Sequence, residues 1–151
     1  MTTKTDVLDA INAVLVEHWP TRTVYVNVCP VDFDRPSFWL RATSDKVSDA
    51  NRFGVKHELT LELVLYDEQD DHYEAHWERL DRDADEAAML MQAPLAVGER
   101  RLRLWTETLP RNPDEAIIRI STTWYDERYT NAGDPPPAAE DAEVSYRITI
   151  K

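Results

Sequence analysis

The sequence predicts an α+β domain with a mainly antiparallel sheet of about six strands and two helices packed on one face. Two patterns support this prediction. Two segments carry apolar residues every three or four positions, as one-sided helices do, and the others alternate apolar and polar residues, as half-buried strands do. The predicted order is α-β-β-β-α-β-β-β, and the length of 151 residues indicates a single domain, 1–151.

The first helix is predicted from about Thr5 to Trp19. Its apolar stripe consists of Val7, Leu8, Ile11, Val14, Leu15 and His18/Trp19. Thr3 or Thr5 can cap the helix, because a hydroxyl accepts a hydrogen bond from an unpaired amide of the first turn. Pro20 ends it, because proline disfavours helical geometry in the residue before it.

Three strands are predicted next, in the segments TVYVNV, SFWLRAT and FGVKHELTLELVLYD. The third segment gives the longest strand pattern, because its side chains alternate in character from Val55 to Leu65. Between the second and third strands, TSDKVSDAN is interpreted as a polar link.

The second helix is predicted from about Asp71 to Gln92, with Asp70 or Asp71 as its cap and Ala93-Pro94 as its stop. Opposite its apolar stripe it carries acids at helical spacing, namely Glu74, Glu78, Asp81 and Asp85. That acidic face must lie in water or against something basic.

Three further strands are predicted, in RRLRLWTETL, AIIRISTTWY and EVSYRITIK. Before the last of them, residues 126–142 are predicted to form a mobile, acidic, proline-rich loop. Consecutive prolines and scattered acids in this segment neither pack a core nor pair steadily as a strand.

The composition narrows the possible partners. A net charge of -12 argues against binding nucleic acid through bulk attraction, because proteins that do so concentrate Lys and Arg. The acid surplus could repel DNA, or it could only keep a concentrated protein soluble.

Cys29 is the only cysteine, so no disulfide can form within the chain, which fits a reducing cytoplasm. Neither a signal-peptide pattern nor a membrane-spanning apolar run is visible, so no membrane partner is expected.

No catalytic, cofactor-binding or metal-binding residue is predicted, and the chain is not expected to be an enzyme. The three glycines are isolated, so they form no phosphate-binding loop. His72 and His76 could share a metal from one helix face, but both flank the apolar stripe and are interpreted as boundary histidines. His57 is interpreted as a hydrogen-bonded core or interface residue. Cys29 lacks a helix amino-terminus that would lower its pKa.

A self-assembly surface is the best candidate for a functional site. Aromatic and arginine side chains are concentrated on the second faces of the predicted strands: Tyr25, Trp39, Arg41, Arg101, Arg103, Trp105, Arg119 and Tyr125. These residue types are enriched at protein interfaces because they combine large buried area with planar hydrogen bonding. The alternative, that some of them lie under the helices, stays open.

The run VYVNVCPVDFDRPSFWLRAT joins a short valine strand to the next strand through a turn that contains Phe33, Pro36 and Phe38. This run, together with the order of elements over most of the chain, resembles the tail terminator family of long-tailed, siphophage-type bacteriophages. In that family a short first helix precedes a strand, a turn of this kind and a second strand. The segment 126–142 is longer than the family's usual last hairpin.

The resemblance implies a structural protein of the virion tail, located in the neck region and assembled in the host cytoplasm without a cofactor. It would form a homo-hexameric ring that caps the completed tail tube, contacting the tail tube protein and offering a docking surface to the head-tail connector protein. DNA would pass through without specific binding. Two alternatives stay open: another phage neck or head-tail connector protein, or a small α+β ligand-binding domain or enzyme with a pocket between sheet and helices.

Overall fold

The computed structural model describes residues 1–69, 72 and 76–129, and it confirms the predicted α+β class. The chain begins with helix α1 Lys4–His18 and strands β1 Thr23–Val26, β2 Ser37–Asp49 and β3 Gly54–Tyr66. It continues with helix α2 Trp77–Leu90 and strands β4 Leu95–Val97, β5 Arg100–Leu102, β6 Leu104–Asn112 and β7 Glu115–Glu127. None of the described helices is long and apolar enough to cross a membrane.

Five strands form the main sheet in the order β1-β2-β3-β7-β6, while β4 and β5 pair in a separate two-stranded hairpin. The β1–β2 pair is parallel, whereas the β2–β3, β3–β7 and β6–β7 pairs are antiparallel. The sheet is therefore mainly antiparallel, as predicted. Over the described residues, β1 and β6 are its edges.

Both helices pack on one face of the main sheet, which we call the helix face. The core there comprises Val7, Leu8, Ile11 and Leu15 of α1, Leu80, Ala84 and Ala87 of α2, and Phe38, Leu40, Leu59, Leu61, Leu63, Ile118 and Ile120 of the sheet. Successive strand residues point to opposite sides, so the residues between these lie on the second face, which we call the open face. Each large aliphatic side chain buried in the core contributes about 1.5–3 kcal/mol, so the alternation decides which face the helices cover.

Helix α1 begins at Lys4 because Thr3, one of the two predicted caps, satisfies its first turn. The Thr3 hydroxyl accepts a hydrogen bond from the Asp6 amide at 3.2 Å, and the Asp6 carboxylate accepts one from the Thr3 amide at 2.7 Å. The hydrogen bond from the Thr3 backbone, helped by that from its hydroxyl, lowers the pKa of the Asp6 carboxyl group. The helix ends at His18, just before Pro20, as predicted.

We expect the Thr3→Ala variant to lose about 1 kcal/mol of unfolding free energy, the usual cost of removing an N-cap hydroxyl. Urea denaturation followed by tryptophan fluorescence measures this loss. Thr5→Ala is the matched control, because Thr5 lies in the same turn and makes none of the capping hydrogen bonds. An equal loss in both variants would contradict the assignment of Thr3 as the cap.

Helix α2 begins later than the sequence predicts. Its N-cap is His76, whose backbone is extended (φ -67°, ψ 102°), so a helix starting at Asp71 would be interrupted there. The predicted caps, Asp70 and Asp71, lie outside the described residues. The helix ends at Leu90 with Met91 as its C-cap, close to the predicted stop.

The segment RRLRLWTETL is predicted as one strand but forms two, because the chain changes sheets at Arg103. Strand β5 pairs with β4, a strand that the sequence pattern does not predict. The turn between them begins with Gly98 at φ +58°. Glycine adopts this left-handed conformation without a Cβ clash, and it occupies the first central position, as in type II′ hairpin turns. Strand β6 then joins the main sheet beside β7.

Two predicted loop boundaries are wrong. TSDKVSDAN is predicted as a polar link, but β2 continues to Asp49 and stays paired with β3 along that length. Residues 43–49 are exposed, so this extension has no apolar face that the sequence could reveal. Strand β7 likewise continues to Glu127, so the predicted loop does not begin at Asp126. Residues 130–142 and the predicted strand EVSYRITIK lie outside the described residues.

Candidate interaction surface

The turn that carries the family resemblance packs against the end of β3. The ring centroids of Phe33 and Tyr66 are 4.3 Å apart, and the Arg35 guanidinium lies 4.7 Å from the first and 5.1 Å from the second. Arg35 also donates a hydrogen bond to the carbonyl of Asp67 at 3.1 Å. Phe38 is fully buried in the core. The turn therefore anchors the start of β2, and burial raises the pKa of Tyr66 to about 12.

Three predicted interface residues near β1 are held by their own chain. Tyr25 and Trp39 are register partners on the open face. The Tyr25 hydroxyl accepts a hydrogen bond from the Asp34 amide at 3.0 Å, and Trp39 Nε1 donates one to the Asn27 carbonyl at 3.1 Å. The Arg41 guanidinium lies 4.3 Å from the centroid of the Trp39 ring. These side chains therefore serve the fold at this end of the sheet.

A row of alternating charge crosses the open face from β2 to β6. Arg41 donates two hydrogen bonds to the Glu62 carboxylate, at 2.7 and 3.2 Å, and Arg119 donates one to Glu107 at 3.1 Å. Glu62 and Arg119 are register partners, so the four side chains lie along one line. Partly exposed pairs of this kind contribute only about 0–1 kcal/mol each. Their main effect is that the charges of Arg41 and Arg119 are compensated within the chain.

The other four predicted residues lie at the β6–β7 side of the sheet. Trp105 stands opposite Ser121, and Arg103 precedes it by two positions, with its guanidinium 5.5 Å from the Trp105 ring centroid. Tyr125 lies further along β7 on the same open face. Trp105 is 47% exposed and Tyr125 61%, and both Arg101 and Arg103 are exposed. We call Arg101, Arg103, Trp105 and Tyr125 the arginine–aromatic strip.

The charges of this strip are not compensated within the described chain. Seven other arginines are ion-paired with carboxylates: Arg22, Arg35, Arg41, Arg79, Arg100, Arg119 and Arg128. No ion pair joins Arg101 or Arg103 to a residue that the structure describes. Because the chain has 29 acids and only 17 Lys and Arg residues, two neighbouring uncompensated guanidiniums mark a distinct basic site.

A buried carboxylate, that of Asp126, fixes the strip from the helix face. The Arg100 guanidinium forms an ion pair with it and donates a hydrogen bond to the Tyr125 carbonyl at 2.7 Å. Trp124 Nε1 donates to Asp126 Oδ2 at 3.1 Å, and His57 Nε2 lies 3.2 Å from the same oxygen. The His57 and Trp124 rings stack with their centroids 4.8 Å apart. We call Asp126, Arg100, His57 and Trp124 the Asp126 cluster.

The sequence predicts only part of this cluster. His57 is predicted as a hydrogen-bonded core or interface residue, and its side chain is 15% exposed beside Asp126. Asp126 itself is predicted to begin a loop, which is wrong. The strand period of two that runs through Thr122 and Trp124 continues to Asp126. This alternation is the sequence signal that indicates a buried position for Asp126.

The histidines and the cysteine do not come together as a reaction centre within the described chain. His76 is the N-cap of α2 and His72 lies in a turn before it, so the helical spacing that could have paired them does not apply. Among residues 1–69, 72 and 76–129, no group of three or more His, Cys, Asp or Glu side chains could hold a metal ion. Burial raises the pKa of the Cys29 thiol, which disfavours the reactive thiolate.

A cleft of 590 Å³ lies between the start of α1 and the β4–β5 hairpin. Its charged lining residues are Asp6, Asp9, Glu99 and Arg100. Asp6 is already used in the cap of α1, and Arg100 is used in the Asp126 cluster. Two of the four charged groups therefore serve the fold, and the arginine–aromatic strip remains the better candidate for a functional surface.

Comparisons with known proteins do not identify a function for this chain. No family model matches the sequence, and no curated protein does. Among the solved structures that match, one aligns with 81% of this chain and 96% of its own length, at 12% sequence identity and a TM-score of 0.38. At that TM-score the similarity supports no inference about fold or function.

Proposed function

We propose that this chain is a non-enzymatic assembly protein of the tail terminator type. In this role it forms a ring, caps the completed tail tube of a long-tailed phage and offers a docking surface to the head-tail connector protein. The observation that carries the proposal is the arginine–aromatic strip, where exposed Trp105 and Tyr125 accompany two uncompensated guanidiniums. Trp, Tyr and Arg dominate the binding energy of protein interfaces, because they bury large areas and can hydrogen-bond at the same time.

The position of the strip supports a role in assembly. Arg101 stands on the β4–β5 hairpin, Trp105 on β6 and Tyr125 on β7, and Arg100 ties that hairpin to β7 through Asp126. Ordering a long side chain at an interface costs about 0.5–1.5 kcal/mol, and this cost falls when the side chain is already held. Arg103 is held in part by its contact with Trp105. The strip is therefore preorganised to bind another protein surface.

The charge of the chain suits passage of DNA through a ring. With a net charge of -12, each subunit adds negative potential, and phosphate groups are repelled from an acidic channel. The same charge would make subunits repel one another, so a local basic strip is a suitable place for contact. The ring would therefore contact the tail tube protein and the head-tail connector protein while leaving DNA unbound.

Mass measurement and negative-stain imaging of the whole chain, alone and with purified tail tubes, test this proposal. We expect ring-shaped particles, either free in solution or seated on tube ends. Protein that stays monomeric at high concentration and also leaves the tube ends bare would overturn the proposal. Rings that bind a head-tail connector but no tube would instead assign the chain to another neck position.

A further inference from the structure

A groove between α2 and β6 has the chemistry to hold an arginine side chain. It encloses 360 Å³ and is lined by Asp81, Ala84, Asp85, Thr108, Leu109 and Ala116. Asp81 and Asp85 are four positions apart on the helix, so both carboxylates lie on one rim. Ala84, Leu109 and Ala116 supply apolar surface below them. An arginine can lay its apolar stem on such a surface while its guanidinium binds the Asp85 carboxylate.

We propose that this groove receives Arg103 of a second copy of the chain, so that the arginine–aromatic strip of one subunit meets the α2–β6 groove of the next. This inference rests on the proposed ring function and names the two surfaces that make the contact. Two different surfaces are required, because a ring closes through heterologous contacts that repeat around its axis.

Charge complementarity identifies a second copy as the partner. Arg103 has no ion pair with a described residue, and neither does Asp85. Glu78 is also exposed, one turn before the groove on the same helix. The acidic face of α2 thus fits the basic strip, which stands out in a chain with this excess of acids. Opposite potentials on the two surfaces favour this pairing over contacts between like surfaces.

The same chain cannot fill its own groove with Arg103. Thr108 lies five residues further along the extended β6 segment, a distance of roughly 17 Å at about 3.3 Å per residue. In addition, Arg103 lies beside Trp105 on the open face, whereas Ala84 and Ala116 belong to the core on the helix face. Arg103 can therefore reach this groove only from another subunit.

Cysteine cross-linking tests this contact. In a Cys29→Ser background, the Asp85→Cys protein and the Arg103→Cys protein are treated with a short bis-maleimide cross-linker, separately and as a mixture, with tail tubes present. The cross-linker replaces the length of the lost arginine side chain, which a direct disulfide could not span. We expect covalent dimers in the mixture and none from either protein alone. The variant that carries both new cysteines should give a ladder of covalent oligomers that ends at the closed ring.

Asp9→Cys is the matched control for Asp85→Cys, because Asp9 is also an exposed helical aspartate but lies on α1, away from the groove. Its mixture with Arg103→Cys should give no dimer. A ladder from the double variant that stops at the dimer would overturn the head-to-tail arrangement, because a two-fold contact uses up both cysteines within one pair.

A charge exchange provides a second readout without cross-linking. Asp85→Arg and Arg103→Asp should each abolish ring assembly, and the combined variant should restore it. If wild-type rings or capped tubes form but neither cross-linking nor charge exchange behaves in this way, the groove contact is wrong and the proposed function stands. If wild-type protein forms neither rings nor capped tubes, the proposed function is wrong and the groove contact falls with it.

Discussion

Replacing Asp126 with alanine should lower the unfolding free energy by about 3 kcal/mol, the low end of the range for removing one partner of a buried ion pair. The Asp126 side chain is 6% exposed, and it accepts the Trp124 indole hydrogen bond as well as binding Arg100. The cost is at the low end because the Arg100 side chain is 37% exposed, so its charge stays partly hydrated. Urea unfolding followed by tryptophan fluorescence measures the change.

The neighbouring residue supplies the control for this experiment. Glu127 is exposed on the same strand, and the Glu127→Ala variant should change the unfolding free energy by less than about 0.5 kcal/mol. A loss below about 1 kcal/mol for Asp126→Ala would show that the carboxylate is not central to the cluster, since even a single unsatisfied buried polar partner usually costs more.

The Trp105→Ala variant should assemble roughly thirtyfold less tightly, which corresponds to the ~2 kcal/mol that defines an interface hot spot. The Trp105 side chain stands out from the open face and supports Arg103, so its removal takes away contact area and leaves the guanidinium less well held. Ring yield as a function of protein concentration measures the effect in solution. If rings form only on tubes, the fraction of capped tube ends replaces it.

Val31→Ala is the control for the assembly measurement, because Val31 is a fully exposed apolar residue in the loop between β1 and β2, away from the strip. Its assembly should match that of the wild type. Unchanged assembly of Trp105→Ala, with an unchanged unfolding midpoint, would remove the strip from the interface.

Local chemistry explains which parts of the fold the sequence predicts well. Helix α1 is predicted from about Thr5 to Trp19 and is found at Lys4–His18, because its cap and its terminating proline act on adjacent residues. The start of α2 is placed wrongly because its N-cap, His76, makes no side-chain capping hydrogen bond and so gives no cap signal. The exposed part of β2 and the hairpin at Gly98 depend on pairing between strands, which an apolar pattern does not report.

The candidate surface is predicted in part for a similar reason. Alternation along the strands places Trp39, Arg41 and Arg119 on the face opposite the helices, as expected for residues of a second face. The sequence does not show that Glu62 and Glu107 compensate the two arginines, because that depends on the register between strands far apart in the chain. Only the structure shows that the arginine–aromatic strip stays exposed, whereas the other four predicted residues are held by contacts within the chain.

Through its ion pair with Arg100, the buried Asp126 carboxylate influences the exposed arginine–aromatic strip. Arg101 follows Arg100 directly and Arg103 comes two residues later, so the direction in which they face depends on a carboxylate that is almost fully buried. Changes at His57 or Trp124 would therefore behave in a genetic screen as assembly defects, although Trp124 is buried and only 15% of the His57 side chain is exposed. Loss-of-assembly alleles should accordingly fall into two groups, one on the exposed strip and one around the carboxylate that holds it in place.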